Sequence, residues 1–199
     1  MWYFIRHGET DWNRKRLFQG AVDIKLNENG REQARKAADV FKKDEVNISR
    51  VYSSPLDRAI ETAEIVSGIK RDKFTIDDRL IEMSFGIYEG TIYDLAKEDN
   101  SGVLGNPEEY FPSPEEKVET YQHILERTKS FIDDLYKNEA GSDDNILIQT
   151  HGACMRALLT NLRGTPLSEF WHQEVHNCQA FIFEPVSDRI IEKGTLNER

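Results

Sequence analysis

Short apolar runs alternate with longer amphipathic stretches along this chain. Trp2, Tyr3, Phe4 and Ile5 form the first run, and their aromatic and β-branched character reads as a buried strand of an α/β sheet. Residues 11–25 are polar and irregular. Asn27 stands as an N-cap, and Ala34, Ala37, Ala38 and Phe41 follow the helical spacing that predicts an amphipathic helix over 28–43. Residues 51–53 read as a second strand. Ser54 as cap and Pro55 at the first helical position then open a helix with Leu56, Ala59, Ile60 and Ala63 on its apolar face. A third short strand is expected at 74–76. Residues 85–90 fit neither period and read as a structured loop. Ser113 and Pro114 mark a further helix start, after which Val118, Tyr121, Leu125, Thr128, Ile132 and Leu135 keep one face. A buried strand at 145–150, a helix at 153–162, a helical turn at 166–171 and closing strands at 178–184 and 189–193 complete the pattern.

This alternation predicts a three-layer α/β/α sandwich with a largely parallel central sheet. A length of 199 residues suits one domain, 1–199, with a small lid excursion at 83–113. The lid is acidic: Lys97 is the only base between residues 91 and 113, against Asp94, Glu98, Asp99, Glu108 and Glu109. Cys154 and Cys178 sit in apolar contexts and read as buried thiols of a cytoplasmic protein. The first apolar run is too short for a signal peptide, and no stretch is long enough to span a bilayer, so no membrane partner is expected. A net charge of -10 disfavours nucleic acid and anionic membranes as partners. A small anionic ligand stays compatible with that charge, because a few buried arginines make a positive cleft in an acidic protein.

The strand ends carry the chemistry. Arg6, His7 and Gly8 follow the first strand, Arg58 lies in the first turn of the helix after the second, and His151 with Gly152 follows the late one. Glu82 sits in a loop between them. If these strands are neighbours, the side chains converge outside the carboxyl edge of the sheet. Arginine forks match phosphate oxygens. A cation at a helix start is disfavoured by the dipole unless an anion binds nearby. The helix N-termini after Ser54 and Gly152 would add backbone donors. Two histidines and a carboxylate, with no P-loop, point to histidine as the nucleophile, provided its other nitrogen keeps a proton on a backbone carbonyl. His172 and His176 have the spacing of metal ligands, but the zincin order is absent and no metal is expected.

Residues 6–10, Arg-His-Gly-Glu-Thr, resemble the Arg-His-Gly signature of the histidine phosphatase superfamily, the phosphoglycerate-mutase-like proteins. Residues 52–59 are similar to that family's second arginine segment, residues 80–90 to its acid loop, and residues 150–152 to its second histidine. The resemblance implies His7 as the nucleophile that becomes a phosphohistidine. Arg6, Arg58 and His151 would hold the phosphoryl group, and Glu82 would serve as general acid and then general base. Asn13 matches a phosphate-pocket asparagine, and Gln19, Gly20 and Gly152 join the substrate-binding set; Glu89 fits a structural turn. No metal or cofactor is implied. The expected activity is a metal-independent phosphomonoester hydrolase acting on a small phosphorylated metabolite. A phosphoglycerate mutase and a non-catalytic phospholigand-binding regulator are the alternatives. The short acidic excursion and the brief C-terminal segment favour hydrolysis over the mutase. Like-charge repulsion from the lid leans the substrate toward a sugar phosphate, a nucleotide monophosphate or a ribazole phosphate. Phe18, Phe85 and Tyr88 could wall the pocket, and a monomer or homodimer is expected.

Overall fold

Alternate residues of the first strand, β1 (Trp2–Arg6), point to opposite faces of a sheet. Trp2 and Phe4 enter one apolar core, and Ile5 and Tyr3 enter another. The computed structural model describes residues 1–93, 103–186 and 189–196. After β1 come one helical turn, α1 (Asp11–Arg14), helix α2 (Glu28–Lys43), strand β2 (Arg50–Ser53), helix α3 (Asp57–Ser67) and a two-residue strand, β3 (Thr75–Ile76). Helix α4 (Tyr121–Glu139), strand β4 (Ile146–Thr150), helix α5 (Gly152–Arg163) and strands β5 (Ala180–Val186) and β6 (Arg189–Leu196) follow.

The sheet order is β3-β2-β4-β1-β5-β6. The first four strands in that order run parallel, and β5 and β6 join antiparallel at the far edge. Ala34, Ala37 and Phe41 of α2 and Ala63 and Val66 of α3 cover Tyr3, Ile5 and Leu147 on one face. Residues of α4 and α5 cover Trp2, Phe4, Ile146 and Ile148 on the other. The expected α/β/α layering is therefore present, with a mixed sheet that is mostly parallel. No helix among the described residues is long and apolar enough to cross a membrane.

Two helices begin later than their sequence signals suggest. Leu56 occupies the cap position of α3 and makes no side-chain cap bond. Ser54 is not that cap, because its hydroxyl lies 2.7 Å from Nε2 of His151. Helix α4 starts at Tyr121 with Thr120 as its cap, not at Ser113. Lys117, at φ 55°, is left-handed and cannot continue a right-handed helix. The segment is tied instead to the acid loop, with Ile87 N on Glu116 O and Glu119 N on Ser84 O, each 2.9 Å. The irregular stretch after β1 also holds order: Thr10 and Asn13 form a reciprocal capping box on α1. Cys154 is buried as expected, whereas Cys178 is only half-buried, in a turn at φ 56°. Asp94, Lys97, Glu98 and Asp99 of the lid lie outside the described residues.

The loop after β1 is clamped on the first turn of α2. A Cβ on Gly8 would overlap the Gly30 carbonyl, and one on Gly30 would overlap the Glu9 carbonyl. Two glycines let these backbones touch, and that contact holds the turn carrying His7. Gly30→Ala should therefore cost about 3 kcal/mol in urea unfolding. A loss below about 0.5 kcal/mol would show that the loop yields freely.

Candidate active site

Strand register brings the candidate side chains together. Arg6 pairs with Thr150, and Ser53 with Gln149, so β1, β4 and β2 end level. His7 N donates to Thr150 O at 3.0 Å, and Ser54 N donates to Gln149 O at 3.1 Å. His7, His151 and Ser54 thus stand side by side at the carboxyl edge, where open α/β sheets bind ligands. The two imidazole centroids are 5.1 Å apart.

His7 Nδ1 lies 2.7 Å from the Gly8 carbonyl oxygen. A carbonyl only accepts, so Nδ1 carries the proton and Nε2 keeps a bare lone pair. Burial, with the Arg58 and Arg6 charges, holds this imidazole well below the usual histidine range and therefore neutral. His151 has the other tautomer. Arg58 Nε donates to its Nδ1 at 3.2 Å, and its Nε2 donates to Ser54 Oγ at 2.7 Å. Burial and the Arg58 charge keep it neutral as well.

Arg58 is fully buried, with Nη1 on Val22 O at 2.7 Å and Nη2 on Gly20 O at 2.8 Å. Burial pulls its pKa down to about 10, which still leaves a cation at neutral pH. A guanidinium has five N–H bonds, so two remain for a ligand. Arg6 Nη1 is held by Val175 O at 2.8 Å, and its buried Nε has no hydrogen-bond partner.

A cavity of about 190 Å³ opens in front of these groups, lined by Arg6, His7, Asn13, Gln19, Gly20, Glu82 and Gly152 among others. Residues 2–195 match the profile described as histidine phosphatase superfamily (branch 1). The chain belongs to this superfamily. It is 33% identical over 168 residues to phosphoglycerate mutase-like protein 4 of Arabidopsis thaliana, covering 80% of this chain and 69% of that one. It is 29% identical over 174 residues to phosphoserine phosphatase 1 of Hydrogenobacter thermophilus, covering 84% and 78%. The solved structure of Bacillus stearothermophilus YhfR superposes with a TM-score of 0.82 at 28% identity, over 97% of this chain and 95% of that one.

In this histidine phosphatase superfamily member, two of the expected binding residues do not line the cavity. Arg58 and His151 are fully buried beside it, the His151 ring 5.1 Å from that of His7. The helix N-termini expected to offer backbone donors are already occupied by carboxylates. Glu82 Oε1 accepts from Ala153 N at 3.0 Å and Cys154 N at 2.9 Å, in the first turn of α5. Asp23 Oδ1 accepts from Asp57 N at 3.0 Å, at the start of α3. Glu82 is therefore a fixed group. Leu80 and Met83 beside it are fully buried, and Thr150 Oγ1 donates to Leu80 O at 2.8 Å.

Asn13 Oδ1 accepts from Thr10 N at 3.1 Å, which leaves its Nδ2 as the end available to a ligand. Gln19 Oε1 accepts from Thr10 Oγ1 at 2.9 Å. Gly20 has φ 52°, and a Cβ there would overlap the Glu89 carboxylate. That carboxylate braces the loop, its Oε1 accepting from Phe85 N at 3.1 Å and Ala21 N at 3.3 Å. Phe18 and Phe85 line the cavity, whereas Tyr88 does not; its hydroxyl donates to Glu116. The described lid acids Glu108 and Glu109 are exposed and do not line it either. His172 and His176 are exposed, and no metal-binding cluster occurs among the described residues.

Sequence reasoning missed Ser54 as the partner of His151. It also missed Asn177, whose Nδ2 donates to His7 O at 2.7 Å, and Arg156, which lines the cavity. Arg156 carried one readable signal, a cation in the second turn of the helix that follows His151.

Two buried neutral imidazoles tie stability to pH. Unfolded histidines take up protons below about pH 6.5 while the native ones do not, so stability falls as pH falls. The loss should begin near pH 6.5, continue down to the depressed native values, and approach about 2.7 kcal/mol per pH unit. Urea unfolding between pH 7.5 and 5.5 checks this, and His151→Asn should roughly halve the slope. A flat profile would mean the imidazoles titrate normally in the fold.

Proposed function

We propose that this protein is a phosphomonoester hydrolase working through a phosphohistidine on His7. The observation that carries the reading is the His7 ring itself. Its proton is held on Gly8 O, its Nε2 lone pair is bare, and burial with two guanidinium groups keeps it neutral beside a cavity that also holds a carboxylate. Nε2 attacks phosphorus and the ester P–O bond breaks. The leaving oxygen takes the proton of the Glu82 carboxyl. Water then attacks the phosphohistidine, Glu82 takes a proton from that water, and the N–P bond breaks to release inorganic phosphate. The proton that Glu82 gives up in the first step is regained from water in the second, so the cycle returns it unchanged.

Arg6 and Arg58 neutralise the transferring oxygens, which is the electrostatic work that phosphoryl transfer chiefly needs. His151 fixes Arg58 through its Nε and acts as a positioning residue. Asn13, Gln19, Gly20 and Gly152 complete the wall. Because arginines carry the charge neutralisation, turnover is expected to persist in chelator. The similarity to a mutase-like protein makes a coupled phosphoglycerate mutase assay the natural control, and mutase turnover without phosphate release would replace this reading.

His7→Ala should lower phosphate release by about a thousandfold or more on every ester, with the thermal transition retained. Glu82→Ala should lose about a hundredfold or more on alkyl phosphates but under about tenfold on p-nitrophenyl phosphate, whose leaving group scarcely needs a proton. Equal losses on both esters would remove Glu82 from the proton-donor role.

A further inference from the structure

The reactive tautomer of His7 depends on one acceptor, the Gly8 carbonyl, and what fixes that carbonyl lies away from the substrate cavity. Two consecutive peptide units are involved. In the unit between His7 and Gly8, the His7 carbonyl accepts from Asn177 Nδ2 at 2.7 Å, and the Gly8 N–H donates to Thr62 Oγ1 at 3.1 Å. In the unit between Gly8 and Glu9, the Gly8 carbonyl accepts from His7 Nδ1 at 2.7 Å, and the Glu9 N–H donates to Gln33 Oε1 at 2.9 Å. The C=O and N–H of a trans peptide point to opposite sides, so each unit is gripped at both ends. Gly8 has no side chain to limit its own dihedrals, and its direction is therefore set from outside.

The three gripping side chains come from three separate parts of the fold. Gln33 is on α2, Thr62 on α3, and Asn177 in the turn before β5. None of them lines the substrate cavity. Thr62 is fully buried and donates its own hydroxyl proton to Arg58 O at 2.7 Å. The Gly8 amide thus enters a short chain of hydrogen bonds that polarise one another. The turn carrying Asn177 is laid along the end of β1, where Cys178 N donates to Arg6 O at 3.0 Å. Cys178 has φ 56°, a left-handed conformation that is unfavourable for a residue with a side chain, and such strain gathers at functional sites.

We infer that Gln33, Thr62 and Asn177 are positioning residues for the nucleophile: together they lock these two peptides so that Gly8 O stays on Nδ1 and the Nε2 lone pair stays free. The inference rests on the hydrolase reading for its catalytic consequence, while the tautomer itself is observable without turnover. If the carbonyl turns away, the proton is free to move to Nε2, and that nitrogen loses the lone pair that attacks phosphorus. The bond from Thr62 to Arg58 O also ties the turn bearing His7 to the helix that carries Arg58.

Asn177→Ala, Gln33→Ala and the near-isosteric Thr62→Val each remove one grip, and Thr62→Ser keeps the hydroxyl. Nitrogen NMR at neutral pH reads the ring of His7, its signals assigned as those missing from His7→Ala protein. Wild type should show a protonated Nδ1 and a bare Nε2. The Ala and Val variants should move His7 toward the form protonated on Nε2. Their kcat on p-nitrophenyl phosphate should fall about tenfold or more with KM changed less than about threefold, because the loss lies in the reacting geometry and not in the phosphate contacts. Thr62→Ser should restore both readings. Thermal melts show which variants fold, and Asn177→Ala, in a half-buried turn, judges the clamp if Thr62→Val does not. A His7 ring that keeps its tautomer in every folded variant would overturn the inference, whatever happens to turnover. A ring that changes tautomer while phosphate release is untouched would uphold the clamp and overturn His7 as the nucleophile.

Discussion

Parallel pairing of β1, β4 and β2 with level carboxyl ends is the constraint on which the rest of this site depends. Backbone bonds from His7 N to Thr150 O and from Ser54 N to Gln149 O align the first residue beyond each strand. The residues brought level come from positions 7, 54 and 151, far apart along the chain. Each strand end is held from both faces, by the α2–α3 core below and the α4–α5 core above. A slip of two residues in one strand would keep every hydrophobic face correct and still separate the two imidazoles.

Within that frame, cations are placed so that histidines stay neutral. An acidic protein of net charge -10 concentrates guanidinium groups in one pocket and surrounds them with backbone carbonyls and imidazole nitrogens. Arg58 shows the arrangement most fully: two carbonyls and one imidazole receive it, and the same charge disfavours a proton on either histidine. Pre-placed charge of this kind needs no rearrangement when a phosphate enters, which is where electrostatic stabilisation of a transferring group is most effective.

Glu82 illustrates a trade between anchoring and availability. The first-turn amides of α5 could have bound a ligand's oxygens directly. They instead hold a carboxylate that stands at the cavity wall beside Gly152. The helix end thus positions the carboxylate that the proposed mechanism uses as its acid–base group, and that mechanism leaves anion binding to arginine side chains.

Much of this was open to reading along the chain. Apolar period placed the strands and helices, because burial on a sheet or helix face leaves a period of its own. The strand-end position of Arg6, His7 and His151 and the loop position of Glu82 were legible for the same reason, together with their resemblance to family motifs. What the chain could not reveal was pairing across it. Ser54 reads as a helix cap locally, yet its hydroxyl belongs to His151, because a long-range hydrogen bond outweighs a local capping preference. The start at Ser113 fails likewise, since the acid loop takes the backbone of Glu116 and Glu119. Arg156 was not singled out along the chain, and its place over the Trp171 ring at the cavity is visible only in the fold. The sequence by itself determined which residues could do phosphoryl chemistry and on which kind of element each would lie. Tertiary structure alone decided their tautomers, their charge balance and their partners, because those depend on distances between segments that no local pattern encodes.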